Sequence, residues 1–398
     1  MNFRQHFLFT ETGRQTLQRF ILKHGLQLLA YGIGGLIVIN ALVVPLIQEW
    51  QFGSAKQPQN PLEVMDRLSL VKSIEFRFFQ ALSAVFFFTL GTCVGSFLNV
   101  VIYRVPLGIS VLVKPSHCPG CREKIKGRDN LPLIGWLALK GRCRNCSIEI
   151  SSRYPTVELV VGFAFLILYF VELISGGLNL PGRTPNLYNG VLWILFFTKW
   201  DLVGLYVFHF FLFCSLFSWA MIRRDGNRVP LKSLCSVFFL VMAPAIVQSI
   251  ASVNWGSSTG AQNVGFSRFS VYTLPGLSQG YLGSTSWLSP LATCCLGLIA
   301  GLSCGAVALI WNRFRSLPAI AYGFPSWLLL GAGLGWQAVI GVLVLMIVWQ
   351  LLRALLSILS KAQPTEGSTA NFALLMPAAM LAHHCVWRQL FELVAGTS

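Results

Sequence analysis

CPGCREKIKGRDNLPLIGWLALKGRCRNC, residues 118–146, lies between two long apolar stretches at 78–101 and 156–174. It contains two Cys-x-x-Cys knuckles, Cys118 with Cys121 and Cys143 with Cys146, separated by 21 residues. Four thiolates in this pattern can converge tetrahedrally on one zinc ion, although the spacer is slightly longer than usual for such sites. The stretch therefore reads as a zinc-ribbon-like loop stapled by metal and carried on a membrane protein.

The surrounding chain has 398 residues, 55% hydrophobic and 11% charged, with a mean hydropathy of +0.65. Soluble domains carry about 25% charged residues, so this composition excludes an ordinary soluble fold. Further apolar runs at 25–47, 202–222, 233–250, 288–312, 324–352 and 372–390 each cover about 30 Å of hydrocarbon at helical rise. The 324–352 run is overlong and carries Gly331, Gly333 and Gly335, so it reads as one helix or two. The expected fold is an all-α polytopic membrane protein with eight or nine spans.

The formal charge is +16, and its placement decides what it means. From Arg104 through Arg153 there are ten Lys/Arg against three Asp/Glu, and basic clusters recur at Arg223, Arg224, Arg228 and Lys232 and at Arg313 and Arg315. Basic loops beside spans set orientation and touch anionic lipid, so membrane lipid is the expected partner and nucleic acid is not. The positive-inside rule puts the cysteine loop in the cytoplasm, with residues 48–77, 175–200 and 251–287 outside. Residues 1–24 lack the shape of a cleavable signal, and the first span reads as a retained anchor.

In a reducing cytoplasm the loop cysteines favour thiolate–metal chemistry over disulfides. The other seven, Cys93, Cys214, Cys235, Cys294, Cys295, Cys304 and Cys385, lie in apolar runs and read as small hydrophobes. His209 reads as a buried, hydrogen-bonded group, and His117 as a neighbour of the first knuckle. His383 and His384 with Cys385 raise the question of a metal site. Adjacent helical positions point about 100° apart, and no carboxylate or histidine follows at i+4, so their own helix gives no ligand set.

GSFLNVVIYRVP (95–106), CPGC, DNLPLIGWL (129–137), KGRCRNC and ISSRYPTVELVVG (150–162) together resemble the N-terminal half of type IV prepilin peptidases. These are the bifunctional leader peptidases and N-methyltransferases of pilus and type II secretion systems. LGAGLGWQAVIGVLVL (330–345) and FALLMPAAMLA (372–382) are similar to later family segments, and residues 1–76 have no recognised counterpart. The resemblance divides the chain into an added anchor and connector (1–76), the N-terminal peptidase region with its four-cysteine loop (77–162) and the protease region (163–398). It implies a multi-pass protein of the bacterial inner membrane that cuts a pilin leader with two aspartates at the cytoplasmic face. It further implies methylation of the new amine with S-adenosylmethionine. Prepilin or pseudopilin N-terminal segments and pilus or secretion assembly proteins are the implied partners. The zinc is implied to be structural, since members without the cysteines exist.

The aspartate motifs depart from the family pattern. The chain has only Asp66, Asp129, Asp201 and Asp225. Where Gly-x-Gly-Asp is expected it reads Ala321, Tyr322, Gly323, Phe324, so the second carboxylate is missing whether Gly323 or Phe324 takes its place. In MIRRDGNRVPL (221–231) the first family aspartate aligns with Arg223, and Asp225 fits only after a register shift. Aspartic proteolysis needs two carboxyls sharing one proton. The expectation is a pseudo-peptidase that keeps a pilin-recognition or assembly scaffold. The enzymatic alternative is a working peptidase and methyltransferase with a rebuilt acid pair, Asp225 with Glu158. A transporter fits poorly, because the few polar groups inside the spans read as lying near the cytoplasmic face and not at mid-depth.

Overall fold

The structure, a computed structural model, describes residues 11–44, 46, 70–112, 115–180, 200–255, 289–314, 324–360 and 374–395. Among these, nine α-helices run in chain order: α1 (Glu11–Val38), α2 (Leu70–Arg104), α3 (Ile134–Ala138), α4 (Arg153–Leu168), α5 (Trp200–Arg224), α6 (Leu231–Trp255), α7 (Ser289–Phe314), α8 (Phe324–Ser360) and α9 (Leu375–Ala395). Short π-helices prolong α1 through Ile39–Val43 and α4 through Tyr169–Ile174. The described residues form no strands, only two isolated bridges in the cysteine loop.

Each apolar run of the sequence is represented by a long helix. Five stretches are long and apolar enough to cross a membrane: Phe20–Val43, Ile74–Arg104, Arg153–Ile174, Leu202–Arg224 and Phe324–Arg353. The apolar parts of α6 and α7 are shorter, Leu231–Pro244 and Cys294–Val307. In α9, His383, His384, Arg388 and Glu392 dilute the run. α8 answers the one-or-two question with a single long element broken at Gly335, whose φ of 82° and ψ of 173° interrupt the helix at a residue without a Cβ.

The chain divides into two compact units, Met1–Asn99 with Leu112–Leu166 and Val100–Val111 with Ile167–Ser398. In the first, α2 packs closely on α4 through its glycines. A Cβ on Gly95 would sit 2.7 Å from the Glu158 Cα, and one on Gly91 would sit 2.6 Å from the Phe165 Cβ. Asn99 adds a hydrogen bond from Nδ2 to the Tyr154 carbonyl (3.1 Å). Close approach through small residues with polar ties is how helices associate where lipid supplies no hydrophobic drive. Large apolar side chains such as Tyr31 and Ile39 on α1 and Phe86 on α2 are exposed and suited to hydrocarbon.

In the second unit, α5 is the enclosed helix, with Leu202, Leu212, Phe213, Leu216 and Phe217 fully buried. It ends with Arg223 and Arg224, cations that suit a helix C-terminus. The Gly226 N–H then bonds the Arg223 carbonyl and the Asn227 N–H bonds the Ile222 carbonyl, closing the helix through a left-handed Gly226. α7 and α8 meet backbone to backbone. Gly297, Gly301 and Gly305 face Gly331, Trp327 and Phe324, and a Cβ on Gly297 or Gly301 would run into the carbonyl opposite.

Candidate functional site

The two knuckles of the cysteine loop are built alike. Cys118 donates its N–H to the Glu123 carbonyl and its own carbonyl accepts from the Arg122 N–H; Cys143 does the same with Ile148 and Ser147. Arg122 and Ser147, each four residues after the first cysteine of its knuckle, both take positive φ, 58° and 57°. Each knuckle thereby turns its two thiols toward one point. Cys118 Sγ lies 3.7 Å from Cys146 Sγ and Cys121 Sγ 4.0 Å from Cys143 Sγ, and all four sulfurs lie within 4.8 Å of one another. A tetrahedral ion with metal–sulfur bonds of about 2.3 Å sets its sulfurs roughly 3.75 Å apart, so the donor set fits zinc closely.

The protonation of the four is uneven. Backbone N–H groups of Cys146 and Asn145 pull the Cys143 thiol down to about 6. At Cys121 a backbone N–H at Glu123 also pulls downward, but desolvation and the neighbouring thiols Cys146, Cys118 and Cys143 outweigh it, and the group is pushed up to about 11. One sulfur is ready as a thiolate, whereas four together need a cation to ionise. The exposed His117 ring lies 3.4 Å from the Pro115 carbonyl and is outside the donor set.

The apolar segment between the knuckles is pinned from both sides. Arg144 forks onto Asp129, with Nε to Oδ2 at 2.8 Å and Nη2 to Oδ1 at 2.6 Å. The Arg144 hydrogen bond holds the Asp129 carboxyl below its ordinary range, and Asp129 raises Arg144 in turn. Trp136 Nε1 donates to the Ile150 carbonyl (3.0 Å). Gly135 has no room for a Cβ, which would meet the Asp129 carbonyl.

Glu158 is buried and anchors this segment. Its Oε2 accepts the Leu133 N–H at 2.8 Å, and the Ser96 side chain hydrogen-bonds the same carboxylate. Leu133 takes φ 58°, a strained conformation that this bond stabilises. Gly95, Ser96, Asn99, Tyr154 and Glu158 thus form one seam joining α2, α4 and the loop.

Asp225 is exposed, just beyond α5, with its N–H on the Met221 carbonyl. Asp201 begins the same helix 24 residues earlier, roughly 36 Å away along its axis. Arg223 is exposed in the last turn of α5. Phe324 begins α8 against Gly305, whereas Gly323 lies outside the described residues. Glu158 belongs to the first unit and Asp225 to the second.

A further polar cluster was not legible in the sequence. Glu172, in the π-helical end of α4, meets His209 of α5 and His384 of α9, all three fully buried. Glu172 Oε1 lies 2.7 Å from His209 Nδ1 and 3.9 Å from His384 Nε2. His209 is the buried, hydrogen-bonded group expected of it. His384 finds partners on two other helices, which a search for ligands along α9 could not reveal.

Residues 89–171 match the profile of the Bacterial Peptidase A24 N-terminal domain. Over 88 residues the chain is 54% identical to a prepilin leader peptidase/N-methyltransferase of Myxococcus xanthus, covering 22% of this chain and 26% of the relative. It is 45% identical over 104 residues to a type 4 prepilin-like proteins leader peptide-processing enzyme of Escherichia coli, covering 22% of this chain and 39% of the relative. The chain therefore spans between a quarter and two-fifths of these two relatives. A prepilin leader peptidase/N-methyltransferase of Pectobacterium carotovorum matches more extensively, at 30% identity over 273 residues, 62% of this chain and 90% of the relative. No solved structure matches the chain. With that extended match added to the motif-bearing loop, the chain belongs to the prepilin leader peptidase/N-methyltransferase family.

Proposed function

We propose that this protein is a pseudo-peptidase of the family, a membrane scaffold that engages prepilin or pseudopilin N-terminal segments without cutting them. The observation that carries this reading is the replacement at Ala321-Tyr322-Gly323-Phe324, where the family aspartate is absent. It is supported by Arg223, which the family resemblance sets at the first aspartate position, by Asp201 and Asp225 lying at opposite ends of α5, and by the Glu158 carboxylate being engaged by Leu133 and Ser96.

On this reading the loop cysteines hold a structural zinc and face the cytoplasm from the bacterial inner membrane. The scaffold works beside pilus or secretion assembly proteins. S-adenosylmethionine chemistry requires a free amine, so methyl transfer here depends on another peptidase having cut first. Mass spectrometry of a candidate pilin's N-terminus, with and without this protein, tests the reading. The prepilin should co-purify with the chain and keep its leader. A leader removed only when the protein is present overturns the proposal, and loss of that processing in Asp225→Ala would assign the active pair to Asp225.

A further inference from the structure

Glu172, His209 and His384 take no part in the proposed scaffold role, yet they bury a carboxylate and two imidazoles completely. An ionisable group within a span is expensive and asks for a specific partner. The hydrogen bonds around His384 define what is missing. Its Nδ1 lies 2.8 Å from the Met380 carbonyl, which can only accept, so Nδ1 carries the proton. In the neutral ring Nε2 then presents a lone pair, buried without a hydrogen-bond partner and 3.9 Å from Glu172 Oε1. Glu172 Oε2 is likewise buried without one. Unpartnered electron-rich atoms buried close together in a medium of low dielectric are costly, and a cation held among them removes that cost.

We propose that Glu172, His209 and His384 form a divalent transition-metal site of the zinc class, separate from the four-cysteine loop. Two imidazoles and one carboxylate are a donor set that zinc accepts, with an open fourth position. Metal–ligand bonds of about 2.0–2.1 Å place ligand atoms roughly 3.3–3.4 Å apart in a tetrahedron. The separations of 2.7 and 3.9 Å bracket that value, and one ligand atom from each residue lies within 4.8 Å of the others. Modest side-chain adjustment completes the site, and the proton shared by His209 and Glu172 leaves as the ion enters.

The surroundings are those of a held ligand set. The Met380 carbonyl fixes the His384 ring as an outer partner does for a metal-bound histidine. The Asn179 Nδ2 donates to the His384 carbonyl at 3.1 Å, just before α9 breaks at Val386 (φ −122°). Trp387 packs on both rings, its centroid 5.1 Å from His384 and 5.9 Å from His209.

The test uses tag-free full-length protein in detergent, loaded with zinc or cobalt(II) and freed of excess metal. The wild type should carry one more equivalent of zinc than Glu172→Gln or His384→Gln, and Cys118→Ser/Cys143→Ser should keep that equivalent. Cobalt in the wild type should give visible d–d bands from a site without sulfur, beyond those that accompany near-ultraviolet thiolate charge transfer. Equal zinc in wild type and Glu172→Gln, or a cobalt spectrum accounted for entirely by thiolate ligation, overturns the proposal and leaves the trio as a proton-held network. The wild-type spectrum needs no substitution, so a variant that fails to fold does not remove the test.

Discussion

The cysteine loop and the Glu172–His209–His384 cluster each gather donor atoms to within 4.8 Å of one another, but by opposite means. The loop does it with neighbours: two copies of one backbone turn, each set by four or five residues, bring 118, 121, 143 and 146 together. The buried cluster draws on three helices, with partners 37 residues apart from Glu172 to His209 and far more to His384. A locally encoded site survives displacement of distant elements, whereas an assembled one exists only while the helices hold their places.

The most forceful way to break the local half is Cys143→Ser. It should abolish zinc retention by the loop, and because structural zinc contributes on the order of 10 kcal/mol, the 118–146 segment should become readily cut in limited proteolysis. The trio should be untouched. The assembled half is best challenged from a distance. Gly301→Leu drives a side chain into the Trp327 carbonyl and should cost about 3 kcal/mol by overpacking, read as a lower midpoint of thermal unfolding in detergent. Loop zinc should remain at wild-type content.

A smaller effect sharpens the contrast at the seam between loop and helix. Glu158→Ala leaves the buried Leu133 N–H without an acceptor and should destabilise by about 1–3 kcal/mol, while Glu158→Gln, which keeps an acceptor oxygen, should lose less. Thermal unfolding of the two variants side by side checks the order. The smallest effect is expected at Asp129→Asn, since its partner Arg144 is exposed. Asp129 is held below its ordinary value by Arg144, so its stabilisation is complete above the unfolded aspartate range and is lost as pH falls through the lower folded value. The proteolysis rates of wild type and Asp129→Asn should differ at neutral pH and converge in acid.

What could be read in the letters follows the same division. Cys-x-x-Cys spacing, the proline after α2 and Pro155 in the first turn of α4 act over a few residues and are visible in sequence. Gly95 and Ser96 are small neighbours in one stretch, and they come close to Glu158. Gly297, Gly301 and Gly305 repeat every fourth residue, yet among so many apolar residues the spacing does not stand out. Glu172, a carboxylate inside the apolar run 156–174, was a local signal, but its partners His209 and His384 depend on which helices face it. The added N-terminal helix was expected only as an anchor; in the structure Leu137 of the loop packs where α1 has Gly25 and leaves no space for a Cβ.

The bond from the Leu133 amide to Glu158 also sets the level of the loop. Glu158 lies five residues into α4, roughly 8 Å along the helix from Arg153. The middle of the loop is therefore moored at a fixed level on α4 and cannot ride freely above it. With the knuckles loosened, the middle of the loop would still be tied to α4 through this bond.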